Sequence, residues 1–154
     1  MREMSVVRIG VPAMAVVACA IAGCGVSASR ERANRTKSMA NLKLIYRALS
    51  MFATEYPAYP KTLEELIPGQ YVDEQTLASP TKPGRKGYGY VSGLDPKGPI
   101  NIIAFDLKHN FEGGRNVLAS NGDVAWMIEE KFQEGLARTI ENAKSAGREV
   151  EVIE

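Results

Sequence analysis

The chain has 154 residues, a single-domain length, with 45 % apolar residues, 19 Lys+Arg and 18 Asp+Glu. Removing Arg2, Arg8 and Glu3 with a targeting segment leaves the two signs equal. A nucleic-acid binder needs a basic footprint, so that class is excluded.

The first element is a short positive start, Arg2 and Arg8, followed by an uncharged run from Ile9 to Gly23 rich in Ala and Val. The run is shorter than the ~20 residues that span a bilayer as a helix and fits a secretory signal over residues 1–23. Ile21-Ala22-Gly23-Cys24 resembles the bacterial lipobox. Its small side chains admit the peptidase, and the cysteine thiol takes the lipid. The resemblance implies a lipoprotein anchored through Cys24, bearing palmitate-type acyl chains and facing the periplasm. Gly25 follows where some inner-membrane lipoproteins carry Asp, which leans the anchor to the outer membrane. Val16-Val17-Ala18-Cys19 is a weaker rival, and an ordinary cleaved signal or an uncleaved anchor are the plainer alternatives. With Cys19 removed and Cys24 consumed, no thiol is left for a disulfide, and one histidine cannot complete a zinc site.

Residues 24–38 are polar and are expected to form a tether whose Arg30, Arg32, Arg35 and Lys37 rest on anionic headgroups or are simply solvated. The domain proper is expected over 39–154. Met39, Leu42, Tyr46, Leu49, Ala53 and Tyr56 recur at helical spacing, with Ile45 and Phe52 widening the stripe, and Pro57 ends the helix. Thr62-Leu63-Glu64-Glu65 reads as a capping box, with reciprocal Thr62 and Glu65 bonds, ahead of a short buried turn. Residues 73–87 read as loop. Strands are expected at 88–94, at 100–107 as a central strand, and on both sides of Asn121-Gly122, a dipeptide that favours a type I′ hairpin. Val124, Trp126 and Ile128 share a face, Trp126 being expected in the core with a bonded indole. Phe132, Leu136, Ile140 and Ala143 mark a C-terminal helix, and residues 150–153 form an edge strand or a frayed tail. The fold class is therefore α+β: a long N-terminal amphipathic helix laid on a small antiparallel β-meander in two layers, with a C-terminal helix.

Two stretches resemble a known family. Asn41, Leu42, Ile45, Ala48, Leu49, Tyr56, Tyr59 and Pro60 match the second half of a pseudopilin helix and the loop after it. Gly113, Gly114, Asn116, Val117, Leu118, Gly122 and Val124 resemble the end of the prepilin-like proteins abundant in Planctomycetes, whose signature pairs a His with a downstream Asp-Gly. His109 stands farther from Asn121-Gly122 than in that signature, and Asn121 replaces its Asp. The prepilin leader is absent: Gly10 is followed by Val-Pro-Ala-Met-Ala rather than a Phe-Thr-Leu-Ile-Glu-like run. The resemblance implies a pilin-like fold in the cell envelope, beside a type II secretion or pilus-like system. The lipid implies a tethered monomer or small oligomer rather than a filament subunit.

For chemistry, His109 is a ligand or base candidate without a nucleophile elbow or an orienting partner, so no enzyme is expected. Asp95, Asp106, Glu112 and Asp123 lie at strand ends and are candidate calcium ligands, as loop carboxylates are in major pseudopilins; solvated turn carboxylates are the plainer reading. Gly113, Gly114, Asn121 and Gly122 are turn residues first. The expected function is a lipid-anchored structural or interaction module with envelope proteins as partners. A periplasmic calcium- or small-ligand-binding module is the alternative.

Overall fold

The computed structural model describes residues 22–154, with side chains from residue 27 onward. All of the expected signal before Ala22 lies outside the described residues. Helix α1 runs from Ala22 to Glu55, 34 residues, about 51 Å at 1.5 Å per residue. The core stripe runs from Ser38 onward, and the residues before Asn34 project beyond the body. Residues 27–33 are exposed, and burial starts at Asn34 and Arg35. The tether expected over 24–38 is thus helical. The reason is local: after Gly25 no Gly or Pro interrupts the chain until Pro57, Ala28 to Ala33 are mostly good helix formers, and Glu31 pairs with Arg35 at 2.6 Å one turn on. No described helix is long and apolar enough to cross a membrane.

The buried stripe of α1 is Ser38, Asn41, Leu42, Ile45, Ala48 and Leu49. It is rotated from the expected one, leaving Tyr56 half exposed and Tyr46 at the margin. Two polar residues on the buried side account for the rotation, because both face polar atoms of the sheet. After Pro57 comes a 3₁₀ turn, Leu63–Leu66, that buries Leu63 and Leu66. The expected capping box is not formed. Thr62 is extended and makes no capping bond, while Glu65 Oε2 accepts from the Lys61 amide at 3.1 Å. The 73–87 stretch is not all loop: α2, Glu74–Leu77, is capped by Asp73, whose carboxylate accepts from the Thr76 amide at 2.7 Å.

The strands are β1 (Tyr88–Ser92), β2 (Ile102–Asp106), β3 (Gly114–Ala119), β4 (Val124–Ile128) and β5 (Glu151–Ile153), with α3 (Glu129–Ser145) between the last two. They form one antiparallel sheet in the order β4-β3-β2-β1-β5. The first four strands are the expected meander, and the C-terminal strand returns to pair with β1 rather than fraying. The β3–β4 hairpin closes through Ala119 N–H to Asp123 O and Gly122 N–H to Ala119 O, both 2.9 Å. Only Gly122 (φ 91) takes the left-handed conformation there, so the loop is a three-residue turn ending in a bulge glycine, not type I′.

The two-layer expectation is corrected to three layers. Asp106, Asn116 and Trp126 point at α1, through contacts with Ser38, the Arg35 carbonyl and the Arg35 guanidinium. Phe105 and Arg115 point the other way, onto Phe132 of α3. With a helix on each face, every residue of β2 is buried. This explains its continuous apolar run in place of alternation.

Candidate functional site

The most concentrated polar chemistry lies at the end of β2, beneath α1. Asp106 has no exposed surface. Its Oδ1 accepts from Ser38 Oγ at 2.5 Å and from Asn110 Nδ2 at 3.0 Å. Its Oδ2 accepts from the Asn116 amide at 3.0 Å and from Asn116 Nδ2 at 2.9 Å. Asn110 also donates to the Gly87 carbonyl and accepts from Ser79 Oγ, tying the 79–87 loop to the same centre. Burial raises the Asp106 carboxyl above its ordinary range, against the pull of these donors. Burial likewise pushes the Tyr88 phenol up to about 12. Its hydroxyl and Asn41 Nδ2 are buried beside the centre without a hydrogen bond of good geometry. Four donors saturate the carboxylate. The centre holds a helix against a sheet and offers no open position for substrate or ion.

The other expected residues do not join it. Asp95 is engaged with Arg148 at 2.6 Å and with the Lys97 amide. Glu112 is exposed, and Asp123 accepts from Asn121 Nδ2 at 2.6 Å in the hairpin turn. Among the described residues no three His, Cys, Asp or Glu side chains converge on a metal position. The four candidate carboxylates are not gathered into one site: Asp106 spends its oxygens on protein donors, and the other three stand apart from it. His109 is half buried, with Nε2 enclosed and unbonded, and has no nucleophile hydrogen-bonded to it. Gly113 (φ 77) and Gly122 are turn residues. Gly114 is small because a Cβ there would collide with the Met127 carbonyl oxygen. The backbone of Cys24 is in α1; its side chain lies outside the description.

A second polar group was not foreseen from sequence. Arg115 in β3 is 3 % exposed. Its guanidinium forks onto Glu129 with two 2.9 Å bonds, reaches Glu154 at 3.3 Å and stacks 4.4 Å from the Phe132 centroid. The fork holds the Glu129 carboxyl down at about 2. This joins β3, the start of α3 and the end of β5. The only sequence signal is an Arg inside a strand whose other side chains are buried.

On the α1 face, the Arg35 guanidinium lies 3.8 Å from the Trp126 ring centroid, and Phe111 stands edge-on to that ring at 5.9 Å. Trp126 is half buried, and its indole makes no hydrogen bond to another described residue, contrary to expectation. Beside α1 runs an open groove of about 750 Å³ lined by Leu44, Arg47, Met51, Ile67, Tyr71 and Val72. No protein-family model, curated protein or solved structure matches the chain.

Proposed function

We propose that the chain is a lipid-anchored structural or interaction module of the cell envelope, of pilin-like build. It is attached through Cys24 and works beside a type II secretion or pilus-like assembly. The observation that carries the reading is α1 itself. From Asn34 onward it is packed on an antiparallel sheet and locked there by a saturated polar centre, while residues 27–33 stand clear of the body and the helix runs back toward the lipobox. A helical stalk holds a domain at a fixed distance from its anchor, which suits docking and assembly better than turnover of a small molecule. The polar groups that could do chemistry are closed into the fold instead of lining a cavity.

Radiolabelled palmitate fed to cells expressing the chain tests the anchor. Label is expected in the wild type and absent in Cys24→Ala, with the variant leaving the membrane fraction. Label retained in Cys24→Ala would overturn the site.

A further inference from the structure

We infer that the outward side of α1 is a docking seam for an acidic amphipathic helix of another protein. The inference does not depend on lipidation of Cys24. Alongside its core stripe, α1 carries a second 4-3 repeat: Ala33, Lys37, Ala40, Leu44, Arg47 and Met51. All six are exposed, Leu44 by 43 % and Met51 by 54 %. Four of the six are apolar, and the two large ones, Leu44 and Met51, lie on one line of the helix with Lys37 and Arg47 between and above them. From Ala33 to Met51 the seam is about 27 Å long, five helical turns. Its lower half continues into the groove of about 750 Å³, whose opposite wall is Ile67, Tyr71 and Val72. Leu44 and Met51 therefore form one side of an apolar trough, not isolated surface residues.

Charge chooses the occupant. Lys37, Arg47 and the flanking Lys43 make no ion pair among the described residues, and no acid stands on the helix between Glu31 and Glu55. Two copies joined through this seam would set Lys37 against Lys37 or Arg47, so the basic positions disfavour a homodimer. An apolar helix would leave all three cations desolvated and unpaired. A helix with Leu-like residues along its centre and carboxylates facing α1 satisfies both halves, with the Lys and Arg stems covering apolar surface and their heads pairing. Acids on the far wall are Asp73, already used as the α2 cap, and Glu74. They limit the basic character to the α1 side and so fix which edge of the partner is acidic.

The test uses the full chain in a neutral detergent and fluorescein-labelled synthetic helices of about 18 residues. One has a leucine strip with Glu along one edge and the other the same strip with Lys along that edge. Anisotropy is expected to show saturable binding of the Glu peptide that weakens as salt is raised, with the Lys peptide binding at least about tenfold more weakly. Lys43→Glu/Arg47→Glu should reverse that preference, and Leu44→Ser/Met51→Ser should lose both peptides; all four positions are exposed, so folding is retained and circular dichroism checks it. Binding of the Glu peptide unchanged in the charge-reversed variant would overturn the proposal. So would a dimer in sedimentation that Leu44→Ser/Met51→Ser dissolves, or binding to phosphatidylglycerol vesicles through Lys43 and Arg47 with no binding of the Glu peptide.

Discussion

Ser38 donates its hydroxyl hydrogen to Asp106 at 2.5 Å, linking α1 to the end of β2 across 68 positions of chain. The bond is one of four on a carboxylate with no facing cation, so removing a donor leaves the charge less well solvated. Ser38→Ala is expected to cost about 1–2 kcal/mol in urea unfolding. Asp106→Ala, which strands Asn110 and Asn116, should cost about 3 kcal/mol. A change within a few tenths for either would remove the role assigned to this centre.

Asp106 and Glu129 should respond to acid with opposite signs. The Asp106 carboxyl is raised above 3.8, so its contribution to stability is fully present below that value and is lost as pH rises through its folded pKa. Glu129 is held down at about 2 from 4.5, so its contribution is present above 4.5 and is lost as pH falls toward 2. Stability measured against pH is expected to fall less steeply on the acid side in Glu129→Gln than in the wild type. The wild type should gain on Asp106→Asn as pH falls toward 3.8. Parallel curves would contradict the assignment.

Arg115 is worth more than its single charge. Arg115→Ala leaves Glu129 without its fork and uncovers the touching Phe105 and Phe132 rings beneath the guanidinium, an expected loss of about 3–5 kcal/mol. Arg115→Lys keeps a charge but cannot make the two-pronged bond, and should recover only part of that loss by thermal melting.

Two glycines are fixed by their neighbours. A Cβ on Gly89 would run into the Phe105 ring, directly across the β1–β2 pair. Gly89→Ala is therefore expected to cost about 1–3 kcal/mol through overpacking. At Gly122 the φ of 91 and the Tyr46 ring, which would stand 2.6 Å from any Cβ there, act together. Gly122→Ala should lose about 1–2 kcal/mol from backbone conformation alone, and Tyr46→Ala should not rescue it fully.

Trp126 is the only tryptophan, so its emission reports one place. Removing the Arg35 guanidinium from its face uncovers the ring to water. Arg35→Ala should shift emission to the red, with Arg35→Lys intermediate. An unchanged spectrum would mean the stack does not persist in solution.

Much of the fold was legible because period and turn chemistry state it locally. The 3-4 spacing after Met39, the Asn-Gly turn and the Phe132–Ala143 stripe each placed an element. What failed was decided by distant partners. The rotation of the α1 stripe depends on Asp106, which no local pattern shows to be buried. The capping box was lost because the turn after Thr62 is 3₁₀, with Glu65 satisfied one residue further back. The left-handed residue of the hairpin is Gly122 alone, since Asn121 is used as an acceptor for the Asp123 amide at 3.1 Å. That α3 crosses to the far face of the sheet is written in long-range contacts such as Phe105–Phe132 and Arg115–Phe132.

The pairing of β5 with β1 bears on the order of events at synthesis. Tyr90 to Ser92 meet partners at Glu151 to Ile153, so one rim of the sheet stays open until the segment after α3 has been made. Closing that rim joins parts of the chain about sixty residues apart, and loop-closure entropy makes such a non-local pairing a slow step of folding.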